Sequence, residues 1–202
     1  DSGMFTYDPG YTSTASCESK ITFIDGENSE LRYRGYDIAE LAGKHSYMDV
    51  CYLLMRGRLP NKEESEGFDL EIRHRSFLNE AVIRIFDAMP DHAHPMATLG
   101  AATMALATVY KDHVSLEDED AFKEMRRRII AKMPTMAAMA YRNSIGIPMI
   151  YPDVDRYFTE NFLYMMRAYP GGKMKNLGNG LSDEIKQVEV DALDAIFTLH
   201  AD

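Results

Sequence analysis

Hydrophobic residues recur at three- and four-residue spacing along most of the chain, the pattern typical of amphipathic helices. Pro60-Asn61 predicts the start of one such helix, and the apolar residues from Phe77 to Met89 continue on one face that we expect to be buried. The run from Ala97 to Tyr110 has almost no polar residues apart from threonines, so it predicts a helix at the centre of the core. Together these patterns predict about eight or nine helices with short connections, which is an all-α fold.

Two segments depart from the helical pattern. Residues 19–33 contain two short runs of strand-forming residues around the turn-forming pair Asp25-Gly26, which predicts a small β-hairpin near the N-terminus. Residues 170–181 are polar and rich in glycine, so we expect a flexible surface loop there.

Capping residues predict where several helices begin and end. Asp37 is expected to cap a short helix, and Ser46 with Asp49 forms a capping box before a helix that ends at Gly57. Pro134 predicts a break between two later helices, because proline lacks a backbone N–H and clashes with the preceding turn.

The last predicted helix has a clear start and no stop signal. Ser182 is expected to cap it, and its apolar stripe runs to Leu199 without a following Gly or Pro. We therefore expect the chain to be cut within this helix. Since the sequence also begins without Met, we expect a piece that is truncated at both ends.

Composition narrows the classes of function. A net charge of −10 argues against a nucleic-acid binder, because phosphate recognition depends on clustered Lys and Arg. No uninterrupted apolar run approaches the ~20 residues of a membrane span. Cys17 and Cys51 are too few for a disulfide framework, and we expect both in the core.

Two clusters of polar residues are candidates for chemistry. Asp91, His92 and His94 offer ligands of the type that bind metals, although prolines on both sides favour a turn in which His94 caps the next helix. Arg126–Arg128 with Lys132 could bind an anion, but an exposed charged helix face is the commoner explanation. The 14 methionines are interpreted as adaptable core residues.

Several long stretches carry a more specific pattern than these clusters. They are Asp8–Gly26, Leu31–Ile38, His94–Met96, Lys132–Met139, Ser144–Gly146, Asn161–Met165 and Leu199–Asp202. In these stretches, and in this order, the chain resembles citrate synthases of the bacterial type II kind. The resemblance covers nearly the whole chain.

This resemblance implies a fold and a reaction. The fold would be the N-terminal portion of a large, multi-helical domain with a small β-hairpin. The reaction would condense acetyl-CoA with oxaloacetate and water to give citrate and CoA, without a cofactor, as the first step of the tricarboxylic acid cycle. The catalytic carboxylate and two histidines of the family lie downstream of Asp202, so we expect this acyltransferase piece to be inactive alone.

The resemblance also implies partners and roles for individual residues. We expect a homodimer or homohexamer in the bacterial cytoplasm, with a mitochondrial or peroxisomal matrix as the alternative. The family motif that starts at Leu199 continues with a histidine that contacts oxaloacetate, so His200 would be close to the substrate or would serve in packing. Tyr110, Arg128 and Lys132 align with a pocket that binds NADH as an allosteric inhibitor in some members.

The chain departs from the pattern of that pocket at residues 74–77. The family has Arg-His-Thr-Met there, and this chain has His, Arg, Ser and Phe. The pocket's later Cys also has no counterpart in residues 171–180. Both departures argue against control by NADH.

Three other functions remain as alternatives. A 2-methylcitrate synthase would use propionyl-CoA on the same fold. A metal-dependent hydrolase would use Asp91, His92 and His94. A noncatalytic helical interaction module would explain the missing catalytic groups.

Overall fold

The structure is a computed structural model that describes residues 3–5, 7–15, 17–90, 92–110, 117–169 and 185–202. Within these ranges the chain is mostly helical, with one antiparallel sheet in the order β1-β2-β3. The all-α prediction with a small sheet is confirmed. The elements are β1 Thr22–Asp25, β2 Glu30–Tyr33, β3 Tyr36–Asp37, α1 Ile38–Leu41, α2 Tyr47–Arg56, α3 Lys62–His74, α4 Glu80–Ala88, α5 Pro95–Val109, α6 Glu119–Ser144, α7 Phe158–Arg167 and α8 Gln187–Leu199.

The predicted hairpin is present and a third strand extends it. β1 pairs with β2 so that Thr22 lies opposite Tyr33. The Asp25 carboxylate accepts the Glu27 and Asn28 backbone N–H groups at 3.0 and 3.1 Å, which stabilises the turn. The two-residue strand β3, which the sequence did not predict, pairs with the other side of β2.

The early helix caps are where the sequence places them. The Asp37 side chain accepts the N–H of Ala39 at the start of α1. Ser46 and Asp49 form the predicted capping box of α2, and Gly57 ends that helix with a φ of 81°.

The helix predicted from Pro60-Asn61 to Met89 is two helices, α3 and α4. Residues between them bond locally instead of continuing the helix: the Ser76 hydroxyl donates to the Arg73 carbonyl at 2.6 Å, and the Asn79 side chain caps α4. Val82 and Phe86 are buried, as predicted for the apolar face, whereas Phe77 in the connection is 44% exposed.

α6 is the central helix of the described core, and Pro134 does not interrupt it. The helix is continuous over 26 residues. Its residues belong to three separate apolar clusters: Met136 and Met139 pack with α4 and α5, Ala131 with α2 and α3, and Ala138 with α7. Packing on several sides outweighs the single backbone hydrogen bond that Pro134 removes, so the predicted break is wrong.

α5 is not the central core helix that the sequence predicts. Only Thr98, Ala102 and Leu106 are buried, along one side of the helix. On another side Met96 is 66% and Met104 is 75% exposed. The described residues of this chain therefore leave part of an apolar helix uncovered.

The last helix also differs from its prediction. α8 begins after Lys186, its N-cap residue, rather than at Ser182, which lies outside the described residues. It ends at Leu199, where the His200 N–H turns back to the Phe197 and Thr198 carbonyls. The expected cut within the helix is wrong, and truncation of the chain stays a prediction.

Three smaller predictions have different outcomes. Cys51 is buried as expected, but Cys17 is exposed, because it lies in the irregular segment before the sheet. In the part of the chain that the structure describes, no helix is long and apolar enough to span a membrane. The predicted loop 170–181 lies outside the described residues.

Candidate functional site

The three residues of the predicted anion pocket lie together where α6 passes the end of α5. Tyr110 is the C-cap residue of α5. The Arg128 guanidinium carbon lies 4.4 Å from the centroid of the Tyr110 ring, and the Lys132 ammonium lies 5.5 Å from it. Both cations are one turn apart on α6, so they share the ring as a cation–π partner.

Lys132 is bound to backbone rather than to solvent. It is 4% exposed, and its ammonium donates to the Arg75 carbonyl at 2.7 Å and to the Phe77 carbonyl. Burial, and then the charges of Arg128 and Arg75, lower its pKa to about 8. Lys132 therefore connects α6 to the segment between α3 and α4.

Glu124 is the centre of the charged network beside these residues. Its carboxylate accepts both the Nε and a terminal nitrogen of Arg75 at 3.1 Å, and the Nε of Arg128 at 2.8 Å. Arg127 is a third cation near it, with a terminal nitrogen at 3.8 Å. Burial raises the pKa of Glu124, but the hydrogen bonds from Arg75 and Arg128 outweigh it and lower the pKa to about 2.

The network is thus not the solvated helix face that the sequence favours. Arg127 and Arg128 are only 20% and 21% exposed at their side chains. The sequence missed Arg75, Arg127 and Glu124 as a connected group. The spacing of Glu124 and Arg128 on one helix is a signal that could have indicated their pairing. The bond from Arg75 to Glu124 joins distant parts of the chain and has no local signal.

His200 lies in a different part of the molecule. It is the C-cap residue of α8, with its Nδ1 2.9 Å from the Ile196 carbonyl oxygen. The next residue, Ala201, packs with the apolar cluster of β2, α1 and α2, and the Thr22 hydroxyl of β1 donates to the Asp202 carboxylate. The motif from Leu199 to Asp202 therefore ends against the sheet, whereas the basic cluster joins α3, α5 and α6.

The metal hypothesis finds no support in the described residues, where no group of three His, Cys, Asp or Glu side chains could hold an ion. Asp91 lies outside them. The His94 Nδ1 accepts the N–H of Met96 at 3.2 Å, which confirms His94 as the cap of α5. His92 approaches the Ser144 carbonyl with its Nδ1 at 3.2 Å.

A cleft between several helix ends has a structural explanation for its acidic lining. It has a volume of about 580 Å³ and opens between the beginnings of α2, α3, α7 and α8. Asp194 on α8, one of its carboxylates, accepts the Tyr47 N–H at 2.7 Å and the Thr159 hydroxyl at 2.6 Å. It caps α2 from a neighbouring helix and binds α7.

Comparison with known proteins identifies the family of this chain. The family described as citrate synthase, C-terminal domain, matches residues 10–202. A curated citrate synthase from Helicobacter pylori is 49% identical over 201 residues, which is 99% of this chain and 47% of that protein. This chain belongs to the citrate synthase family. The resemblance inferred from the sequence motifs is confirmed.

Solved citrate synthases have the same fold. The enzyme from Pyrobaculum aerophilum is 29% identical and superposes with a TM-score of 0.80 over 100% of this chain and 50% of its own. The enzyme from Thermotoga maritima is 28% identical, with a TM-score of 0.75 over 96% of this chain and 46% of its own. The chain spans about half the length of these citrate synthases and of the curated relative.

Proposed function

We propose that this chain is part of an acyltransferase that condenses acetyl-CoA with oxaloacetate and water to give citrate and CoA. The observation that carries the proposal is the 49% identity with a citrate synthase along 99% of the chain. Substrates are small molecules, no resident cofactor is required, and the bacterial relative makes a bacterial cytoplasm the expected compartment. Catalysis by general acid–base chemistry would use residues beyond Asp202, with His200 near the oxaloacetate site.

The chain's own contribution in this proposal is the helical scaffold. The sheet and α2 hold the Leu199–Asp202 segment through the packing of Ala201 and the bond from Thr22 to Asp202. That segment would direct the following residues toward oxaloacetate. By itself the chain is expected to show no turnover.

The proposal is tested on a chimera in which this chain replaces the matching segment of the Helicobacter pylori enzyme. CoA release is measured with oxaloacetate and either acetyl-CoA or propionyl-CoA. We expect the chimera to retain turnover with a preference for acetyl-CoA. The full-length protein is assayed in the same way, and its preference for propionyl-CoA would instead establish a 2-methylcitrate synthase. A folded full-length protein that releases no CoA from either substrate would support a noncatalytic helical module.

We also propose that the full-length protein assembles as a homodimer or homohexamer through α5. This helix contains no charged residue from Pro95 to Val109, yet Met96 and Met104 are exposed. An uncovered apolar face of this kind is typical of an interface between subunits. Gly100, on the same face, has nothing within 4 Å of an added Cβ, so another helix could approach closely there.

We also propose that NADH binds beside Tyr110, Arg128 and Lys132 as an allosteric inhibitor, although residues 74–77 and 171–180 depart from the family pattern. The convergence of these three side chains supports the proposal. A guanidinium stacked on a phenol ring offers positive charge for a pyrophosphate and a flat surface for a base. NADH fluorescence is titrated with the full-length protein and its Arg128→Ala variant. Binding that is lost in the variant is expected, and unchanged binding would contradict this site.

A further inference from the structure

Glu124 occupies the position where the basic cluster is best suited to hold an anion. Arg75 binds it with two parallel N–H donors, each at 3.1 Å, and Arg128 adds a third donor at 2.8 Å. This fork geometry is the one by which guanidinium groups bind phosphate as well as carboxylate. The carboxylate of the protein thus uses donors that a phosphate would use.

The cluster retains positive charge after this internal pairing. Arg75, Arg127, Arg128 and Lys132 face Glu124 and one further carboxylate, Glu71, whose oxygen lies 3.2 Å from Arg75 and 3.4 Å from Arg127. The Nε of Arg127 is buried without a hydrogen bond, because its approach to Glu71 has the distance of an ion pair but not hydrogen-bond geometry. Four cations therefore face two carboxylates in this cluster.

We propose that Glu124 is an internal competitor for the anion site, and that it determines how tightly phosphate-containing ligands bind between Arg75 and Arg128. A ligand phosphate must displace the carboxylate from the two guanidinium groups or lie beside it at the cost of like-charge repulsion. The inference deepens the proposed NADH site, on which it rests, by identifying the residue that sets its affinity.

We expect the protein to remain folded when the ion pairs of Glu124 are removed. The side chains of Arg75, Arg128 and Glu124 are 29%, 21% and 20% exposed, so water replaces part of each lost interaction. The Glu124→Gln variant keeps the size and shape of the side chain, removes its charge and replaces one acceptor oxygen with an NH2 group.

A matched control is available on the same helix. Glu119 also lies on α6 and pairs with Lys123 at 2.8 Å, but its side chain is 81% exposed and it lies one turn or more from the cluster. Glu119→Gln changes the net charge of the protein by the same amount. It therefore separates the local competition from a general change in charge.

The experiment measures binding of inorganic pyrophosphate to the full-length protein by titration calorimetry at low salt. We expect Glu124→Gln to bind pyrophosphate at least ~10-fold more tightly than the parent, because the variant no longer holds a like charge between the two guanidinium groups. Glu119→Gln should bind like the parent, and Arg128→Ala added to Glu124→Gln should abolish the gain. Glu124→Met, which also lacks the charge, replaces Glu124→Gln if circular dichroism shows that the latter is unfolded.

The outcomes separate this inference from the NADH proposal. Equal pyrophosphate affinity in the parent and Glu124→Gln, or no binding to either, would overturn the inference even if NADH binds at Arg128. A gain in Glu124→Gln that Glu119→Gln reproduces would also overturn it. A gain specific to Glu124→Gln supports the inference, and if NADH binds to neither protein, the NADH proposal alone fails.

Discussion

Arg142 and Lys132 are buried cations whose hydrogen-bond acceptors are backbone carbonyls. Arg142 is 1% exposed and donates to the Pro148, Met165 and Met166 carbonyls at 2.5, 3.2 and 3.0 Å. Through these bonds it joins the end of α6 to the end of α7. Burial lowers its pKa, because the surroundings disfavour the positive charge. The three carbonyls offset part of this cost by accepting its hydrogen bonds.

Arg142→Met is expected to destabilise the protein by about 2–4 kcal/mol. The apolar side chain fills much of the space but leaves three buried or half-buried carbonyls without their donor. The free energy of unfolding in urea measures the loss. Arg84→Met, at an exposed position on α4, is the control and should change it by less than ~0.5 kcal/mol. Equal losses in the two variants would show that Arg142 has no special role.

The lowered pKa of Lys132 predicts that the free energy of unfolding increases with pH. Because burial, and then Arg128 and Arg75, lower its pKa to about 8, the folded protein releases this proton before the unfolded chain does. Between that pKa and the ordinary lysine value the unfolded state binds more protons, so the free energy of unfolding increases as pH rises. From pH ~7.5 to ~9.5 the gain should be about 1–2 kcal/mol.

Urea unfolding of the parent and of Lys132→Met at these two pH values tests this prediction. The variant lacks the titrating group, so its stability should not show the additional rise, whatever its absolute value. The other titrating groups are common to both proteins and cancel in the comparison. The same pH dependence in both proteins would mean that Lys132 is not the cause.

At the scale of the elements, local signals predict helix starts well. Asp37 and Ser46 cap α1 and α2 by bonds within three residues, which the sequence contains in full. The separation of α3 from α4 and the continuity of α6 through Pro134 depend on partners far along the chain. Thr135, for example, donates to the Ser76 carbonyl at 2.9 Å, a contact between residues 59 positions apart.

The candidate site also combines residues that the sequence predicts with residues that it does not predict. Tyr110, Arg128 and Lys132 follow from the family resemblance, and the structure places them together. Glu124 was not predicted, because it pairs with Arg75, the C-cap residue of α3, which is 49 positions away in the sequence. A charge pattern along one helix shows which residues share a face, but it does not show what covers that face.

Asp194 gives a prediction at this scale, because it connects three helices. It lies on α8 and accepts hydrogen bonds from Tyr47 on α2 and Thr159 on α7. Asp194→Ala should lower the free energy of unfolding by about 1–3 kcal/mol through the loss of both bonds. Asp191→Ala, an exposed aspartate on the same helix, should cost less than ~0.5 kcal/mol. Equal effects would show that Asp194 does not join the helices.

At the scale of the whole molecule, the sequence predicts α5 as a buried helix, whereas one of its sides is exposed. An apolar helix face can pack against its own chain or against another subunit, and the sequence pattern is the same in both cases. One side of α5 is covered by this chain at Thr98, Ala102 and Leu106. The exposed side with Met96, Gly100 and Met104 is therefore the surface on which the proposed second copy would pack.

Gly100→Leu in the full-length protein tests that interface, with Gly67→Leu on α3 as the matched control. Both glycines are exposed helical positions where an added Cβ meets nothing within 4 Å, and both changes raise helix propensity by ~0.5–1 kcal/mol. Each subunit should therefore fold as well as the parent. In sedimentation experiments Gly100→Leu should shift the protein toward monomers, because the new side chain keeps the second helix from approaching, whereas Gly67→Leu should assemble normally. An oligomer that Gly100→Leu leaves intact would mean that subunits meet on another surface.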